Sequence, residues 1–142
     1  KKSLMDKWTV GSHGGTYGSN PICCAAAAVT IDIIRPLLPQ VSQLSEITKK
    51  FLHKHLDNHK NVGDIRVEGL MIGLELVKDK TSKTPYPEMV STLLKKALEK
   101  KLIILSCGIH SNVIRLAPPL IISEEELLKG LSILCKCIHD YH

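Results

Sequence analysis

The sequence predicts an α+β fold, in which a small sheet of three or four mostly antiparallel strands carries helices on one face. In three segments apolar residues repeat every three to four positions, which is typical of amphipathic helices. Residues 70–77 instead alternate with a period of two, as a strand with one buried face does. Runs of strands flanked by such helices favour a small sheet covered on one side.

Length and composition suit a globular protein of one domain or slightly more. The chain has 142 residues, 44% of them hydrophobic and 23% charged, and a chain of this length can bury a real core. This composition excludes collagen, coiled coil and a disordered tail. The net charge of +5 comes mainly from scattered lysine pairs, with only three arginines. We therefore expect the charge to serve solubility, with no nucleic-acid partner.

We also expect no membrane partner. Residues 1–6 are not followed by the apolar stretch of a signal peptide. The longest unbroken apolar run, residues 22–29, is far shorter than the roughly 18 residues needed to cross a bilayer. Without a secretory signal, the five cysteines indicate free thiols in a reducing compartment.

The first predicted helix begins sharply after a glycine-rich loop, residues 11–20. Asn20 can cap this helix, and Pro21 takes the first helical position, where its missing N–H is no loss. The residues that follow are small or apolar on nearly every side, so the helix needs burial all round. Pro36 and Pro39 are expected to end it. Residues 1–40 therefore resemble part of something larger.

The rest of the chain alternates between helices and short strands. Helices are predicted over residues 41–56 and 88–100, and from Ser123 onward, where Ser123 and Glu126 fit a capping box. Strands are predicted over residues 65–68, 70–77, 102–105 and 112–116.

The loop before Pro21 has the chemistry of an anion site. Glycines such as Gly15 let backbone N–H groups approach an anion closely, Thr16 and Ser19 add hydroxyl groups, and the following helix contributes its positive end. The pattern is neither a Walker loop nor a dinucleotide fingerprint, because no strand precedes it and no Lys-Ser/Thr ends it. A phosphate site and a plain turn with a helix cap both fit these residues.

Arg115 lies in the most apolar sequence surroundings of the three arginines. A guanidinium in such a segment must find an anion or reach water, because an unpaired buried charge is costly. It could form a structural ion pair with Glu68 or Glu75. Alternatively, its fork could hold a substrate carboxylate through two hydrogen bonds. The residues alone leave both interpretations open.

The predicted C-terminal helix carries a weaker signal for a metal. Cys135, His139 and His142 would share one helical face and could approach a zinc ion. No second cysteine pair completes a set of four ligands. We therefore expect buried cysteines, surface histidines and no metal site.

Several blocks of the sequence occur in a characteristic order. They are residues 5–8 (MDKW), 11–21 (GSHGGTYGSNP), 62–66 (VGDIR), 69–75 (GLMIGLE) and 112–120 (NVIRLAPPL). Together they resemble the C-terminal part of a class III aminotransferase, a pyridoxal-phosphate enzyme of fold type I, and most closely the 4-aminobutyrate aminotransferase group. One departure is Val67 after Arg66, where the family usually has glycine.

The resemblance implies a site and a reaction. Thr16, beside Gly15, would hydrogen-bond the phosphate of pyridoxal 5'-phosphate held by the other subunit of a homodimer. Arg115 would grip a substrate carboxylate. The implied reaction moves an amino group from an ω-amino acid such as 4-aminobutyrate to 2-oxoglutarate, a 2-oxo acid, in the cytoplasm or the mitochondrial matrix. Residues 1–40 would end the large cofactor-binding domain, and residues 41–142 would form the small C-terminal domain.

The resemblance also implies that the chain is a fragment. The family needs a lysine that forms the Schiff base with the cofactor and an aspartate that keeps the pyridine nitrogen protonated. Both lie upstream of the stretch that residue 1 matches. We therefore expect no catalytic residue in this chain and no activity of the chain alone. The alternative is a non-catalytic interaction or dimerisation module that buries its apolar first helix against a partner.

Overall fold

The computed structural model describes the whole chain except Val10, His13, Thr16 and His142. It divides into two compact units, Lys1–Pro36 and Leu37–His142. The first unit contains two helices, α1 (Lys2–Met5) and α2 (Pro21–Ile34). The second contains α3 (Leu38–Leu56), α4 (Pro87–Glu99), α5 (Glu124–His139) and a sheet of four strands.

Helix α2 begins where the sequence predicts. The Asn20 side-chain oxygen accepts hydrogen bonds from the backbone N–H groups of Ile22, at 3.0 Å, and Cys23, at 3.3 Å. No residue of α2 is buried, and Ile22, Val29 and the isoleucines at 31 and 33 are each more than half exposed. Its apolar surface is therefore available to a partner.

The stretch Pro21–Leu56 is long and apolar enough to cross a membrane by length and composition alone. It contains no unbroken apolar run of that length, because Thr30 and Asp32 interrupt the run while the average stays apolar. Core helices of soluble proteins and signal sequences pass the same test, so this finding is weak evidence.

Helix α2 ends at Ile34, just before Pro36, as the sequence predicts, but α3 starts three residues earlier than the predicted residue 41 and includes Pro39. A 3-10 turn, Arg35–Leu37, follows α2 directly, and α3 starts at Leu38. Pro39 stands in the first turn of α3, where a residue without an N–H group breaks no helical hydrogen bond. The same property that ends one helix therefore starts the next.

The sheet of the second unit is antiparallel throughout, in the order β1-β2-β4-β3. Its strands are β1 (Val62–Glu68), β2 (Met71–Leu76), β3 (Leu105–Cys107) and β4 (Val113–Leu116). Ile72, Leu74 and Leu76 of β2 are buried against the helices, whereas Met71 is exposed. The predicted α+β fold, with an antiparallel sheet of four strands, is confirmed.

Two strands, β1 and β3, begin three residues away from their predicted starts. β3 starts at Leu105 rather than at residue 102, because its first partner in the ladder is Arg115 of β4. β1 starts at Val62, three residues before the predicted 65–68, through a register shift between Val62 and Asp64. Gly63 permits this bulge, since a Cβ there would lie only 2.8 Å from Cγ1 of Val77.

One hydrophobic core fills the second unit between the sheet and its helices. Its fully buried side chains include Leu52, Leu56, Leu74, Met89, Leu93, Ile114, Leu134 and Ile138. The predicted capping box opens α5, since Ser123 Oγ accepts from the Glu126 N–H at 3.2 Å and the Glu126 carboxylate accepts from the Ser123 N–H at 3.3 Å. Local caps and a packed core thus fix the frame that carries β4.

Candidate functional site

The predicted anion loop belongs to the first unit. Thr16 and His13 lie outside the described residues, so the role of Thr16 stays a prediction. Gly14 and Gly15 are exposed, and a Cβ at either position would meet nothing within 4 Å. Within the described part of the chain, their backbone N–H groups make no hydrogen bond. In this respect the loop fits a phosphate, because open amides can turn toward an anion.

The start of α2 does not offer the free donors that the sequence suggested. Pro21 has no N–H group, and the side chain of Asn20 accepts from Ile22 and Cys23. The N–H of Cys24 bonds to the Asn20 carbonyl oxygen at 2.9 Å. Asn20 therefore satisfies the first turn by itself. An anion at this loop would depend on the loop amides and hydroxyls rather than on the helix end.

Arg115 belongs to the second unit and lies on the sheet face opposite to the helices. It stands in the middle of β4, where its register partners are Gly73 of β2 and Leu105 of β3. Its neighbour Ile114 is fully buried, whereas Arg115 itself is exposed. Successive side chains of a strand point to opposite faces, so the apolar residues beside Arg115 in sequence do not surround its guanidinium.

No ion pair among the described residues involves Arg115. Neither of the two structural partners that the sequence offered forms an ion pair with Arg115 in the described part of the chain. Glu75 lies 3.4 Å from the guanidinium of Arg66, and Glu68 forms no ion pair in the described part of the chain. The structure therefore leaves the carboxylate-binding interpretation of Arg115 open and removes its structural alternative.

An acidic and basic cluster lies beside Arg115 on the same open face. Arg66 Nη1 donates to Asp64 Oδ2 at 2.7 Å and to Glu75 Oε2 at 3.4 Å. Gly73 separates Arg66 from Arg115 in the ladder, and the Arg66 Nε is 3.8 Å from where a Cβ of residue 73 would be. The Arg66 side chain therefore extends over β2 at a residue without a side chain.

Asn112 anchors the start of β4, and sequence reasoning did not single it out. Its side chain is only 3% exposed, and its Nδ2 donates to the Leu76 carbonyl oxygen at 3.0 Å. The N–H of Leu76 donates in turn to the Asn112 carbonyl oxygen at 2.7 Å. A second Nδ2 contact reaches Glu75 Oε1 at 3.5 Å. An asparagine at the start of an apolar strand is the signal that could have identified it.

The turn before β4 depends on a glycine. Gly108 has a φ of +85°, which L side chains rarely adopt. A Cβ there would also lie 3.0 Å from Cγ2 of Val113. The turn thus brings β3 close to β4 and sets the register that places Arg115 on the open face.

The C-terminal helix shows no metal arrangement among the residues described. No group of three or more metal-binding side chains occurs there, and His142 lies outside the described part. Cys135 is buried, and desolvation raises the pKa of its thiol to about 11. His139 Nε2 lies 3.1 Å from the His55 carbonyl oxygen. Each side chain thus has a packing or bonding role within the core and the helix ends.

Comparisons with known proteins show the family of the chain. A family model for class III aminotransferases matches residues 1–138, and the chain belongs to that family. Over 142 residues it is 38% identical to 5-aminovalerate aminotransferase of Pseudomonas aeruginosa, covering 99% of this chain and 33% of that protein. It is also 38% identical, over 143 residues, to 4-aminobutyrate aminotransferase of Mycobacterium leprae, covering 99% of this chain and 32% of that protein.

Further comparisons define the fold and the breadth of the family. An aminotransferase structure from Bacillus anthracis superposes with a TM-score of 0.77 at 33% identity, covering 92% of this chain and 30% of that one. The alanine/serine racemase of Pyrococcus horikoshii is 37% identical, covering 99% of this chain and 29% of that protein. The chain thus spans about a third of the length of the curated relatives it matches.

Proposed function

We propose that this chain is the C-terminal part of a pyridoxal-phosphate-dependent aminotransferase. The enzyme moves an amino group from an ω-amino acid such as 4-aminobutyrate to 2-oxoglutarate. Membership of the class III family supports the reaction class, and the names of two relatives support an ω-amino acid as donor. The observation that carries the proposal is Arg115, an exposed guanidinium without an ion-pair partner among the described residues of the open sheet face.

Arg115 is the residue proposed to bind substrate. Both substrates carry a carboxylate, which a guanidinium holds through two parallel N–H···O bonds. An unpaired guanidinium does not first have to break an internal ion pair, so its attraction is available to the ligand. A hydrogen bond to a charged group of this kind contributes about 1.5–3 kcal/mol. The rigid β4 frame around Asn112 then fixes the direction from which the carboxylate approaches.

Pyridoxal 5'-phosphate is the proposed cofactor, and when bound it supplies the electron sink that amino-group transfer requires. The amide of Gly15 and the side chain of Thr16 are the residues proposed to hold its phosphate. In this proposal residues 1–40 end the large cofactor-binding domain, residues 41–142 form the small domain, and the enzyme is a homodimer. Five free cysteines fit a reducing compartment, and we place the enzyme in the cytoplasm.

A transamination assay tests this proposal. The full-length enzyme with pyridoxal phosphate should convert 2-oxoglutarate to glutamate with 4-aminobutyrate or 5-aminovalerate as donor. Failure with both donors, together with racemisation of alanine or serine, would overturn it in favour of the chemistry named for the Pyrococcus relative. The 142-residue chain alone should show no transamination. Stoichiometric attachment of the cofactor to one of its lysines after borohydride reduction would contradict that expectation.

A non-catalytic association module is the second candidate, and the exposure of α2 favours it. No residue of α2 is buried. Contiguous exposed apolar surfaces mark interaction sites or aggregation. If association is the function of this chain, light scattering should show dimers or larger species at micromolar concentration. A monodisperse monomer at high concentration would overturn this second candidate and leave the aminotransferase proposal intact.

A further inference from the structure

We propose that Gly73 is a specificity-determining residue, whose missing side chain leaves the space in which a substrate carboxylate lies between Arg115 and Arg66. The identity of the ligand rests on the proposed function, whereas the reasons to ask why a glycine stands here come from the fold. Gly73 lies in the interior of β2, directly opposite Arg115 and on the same sheet face.

The other glycines in and beside the sheet have structural reasons. A Cβ at Gly63 would lie 2.8 Å from Cγ1 of Val77, closer than real side chains come. Gly69 and Gly108 have φ angles of +58° and +85°, in the left-handed region that favours glycine. The fold itself therefore requires these three glycines.

Gly73 has none of these reasons. Its φ lies outside the left-handed region, and a Cβ there would make ordinary contacts, 3.6 Å from Cγ1 of Val113 and 3.8 Å from Nε of Arg66. Its pairing is regular on both sides, with Arg66 of β1 and Arg115 of β4, so it does not serve a bulge. An alanine would fit this position among the described residues.

A glycine in the interior of a strand is unfavourable unless something else needs it. Glycine loses more conformational freedom on folding than any other residue, and it offers no side chain to pack. Where neither a bulge nor a bend explains it, such a glycine marks the close approach of a ligand or of another backbone. Gly73 therefore points to an occupant outside the 142 residues.

The charges beside Gly73 favour an anionic ligand over another backbone. Side chains of directly paired residues begin about 4.5–5.5 Å apart, so Arg115 and Arg66 stand on either side of Gly73 in one row. Guanidinium groups hold carboxylates, which an uncharged backbone does not supply. Arg66 already bonds to Asp64 and Glu75, so Arg115 supplies the main attraction and Arg66 bounds the space.

Gly73→Ala in the full-length enzyme tests this inference. We expect the KM for 2-oxoglutarate to rise about 10-fold, the lower end of what one carbon changes in a fitted site, with little change in kcat. Calorimetry should show the same loss of affinity for glutarate, a dicarboxylate that cannot react. The midpoint of denaturant unfolding should equal or exceed that of the wild type, because alanine fits the strand and restricts the unfolded chain.

Gly130→Ala is the matched control. It makes the same chemical change in α5, where a Cβ would also make an ordinary contact, 3.6 Å from Cδ1 of Leu102. Its unfolding midpoint should likewise not fall below that of the wild type. Its KM for 2-oxoglutarate and its affinity for glutarate should stay at the wild-type values, because Gly130 does not belong to the row of Arg115.

The stability and binding measurements separate the possible occupants. A lower unfolding midpoint or a misfolded Gly73→Ala protein, with Gly130→Ala normal, would mean that another segment packs on Gly73 and would overturn the inference. A stable Gly73→Ala enzyme with unchanged KM and unchanged glutarate affinity would overturn it as well. In either case Arg115→Ala decides on the proposed function separately, since a raised KM in that variant supports the carboxylate clamp and an unchanged KM contradicts it.

Discussion

At the start of β1, Gly63 lies against the side chain of Val77. A Cβ at residue 63 would be 2.8 Å from Cγ1 and 3.1 Å from Cγ2 of Val77, whose side chain is fully buried. Val77 has no flexible end that could yield, because it is β-branched and packed. The bulge between Val62 and Asp64 therefore depends on the absence of a side chain at this position.

We predict that Gly63→Ala lowers the free energy of unfolding by about 1–3 kcal/mol, the usual cost of overpacking a core. Denaturant unfolding followed by circular dichroism measures it. Gly14→Ala is the matched control, because a Cβ there meets nothing within 4 Å, and its midpoint should stay at the wild-type value. Equal stability of the two variants would show that Val77 can move aside.

The charges of the open face show what residue-scale reasoning could and could not find. The apolar sequence around Arg115 suggested a guanidinium that must find an anion or reach water, and the period of the strand puts its neighbour Ile114 inside and Arg115 outside. The partner of Glu75 is Arg66, which is nine residues away on another strand. Such a choice is made by sheet register, which local sequence patterns do not determine.

Among the elements, β4 depends most on a single polar residue. Asn112 is buried, and its side-chain and backbone groups bond to both the carbonyl and the N–H of Leu76. These bonds fix the end of β4 from which Arg115 follows three residues later. An alanine at residue 112 would remove the Nδ2 donor from the buried Leu76 carbonyl, which would keep only the Tyr86 N–H at 3.1 Å. The net loss of one such hydrogen bond costs about 0.5–1.5 kcal/mol.

We predict that Asn112→Ala lowers the free energy of unfolding by that amount and increases hydrogen exchange in β4 more than in α5. Mass-spectrometric hydrogen exchange measures both elements in one experiment. Ser111→Ala is a suitable control, since residue 111 is exposed and adjacent. Residue 111 has a φ of +52°, so this variant will lose some stability. Its increase in hydrogen exchange should not be concentrated in β4. Uniform exchange changes in Asn112→Ala would contradict the anchoring role.

The elements also show where sequence patterns are sufficient. The caps of α2 and α5 are built from adjacent residues, and the predicted Asn20 and Ser123 contacts are both present. The position of β3 was missed because its first ladder pair, Leu105 with Arg115, is set by another strand. The start of α3 was missed because proline is compatible with a first helical turn as well as with a helix end.

At the scale of the whole second unit, two histidine rings are in contact where the C-terminal ends of helices α3 and α5 meet. The rings of His59 and His139 lie 5.3 Å apart in an edge-to-face arrangement. Burial is the main cause that lowers the pKa of His59 below its ordinary 6.5, and the charges of His139, Lys60 and Lys80 act in the same direction. The folded unit therefore resists protonation of His59.

We predict that this resistance makes the unit less stable in mild acid. A histidine whose folded pKa is lowered contributes full stability above its unfolded pKa of about 6.5. That contribution is lost as the pH falls through 6.5 toward the lower folded pKa. Thermal unfolding between pH 7.5 and 5 should show a smaller decrease for His59→Gln than for wild type. The exposed His110→Gln serves as control, and identical curves for all three proteins would contradict the prediction.

The central claim concerns Arg115, and the most direct test is the KM of the full-length enzyme for 2-oxoglutarate after substitution of this residue. We predict that Arg115→Ala raises this KM about 10- to 150-fold, which corresponds to the loss of roughly 1.5–3 kcal/mol, with circular dichroism unchanged. Arg115→Lys should retain part of the affinity, because it keeps the charge but loses the fork. An Arg115→Ala enzyme that folds normally and keeps the wild-type KM would contradict the account.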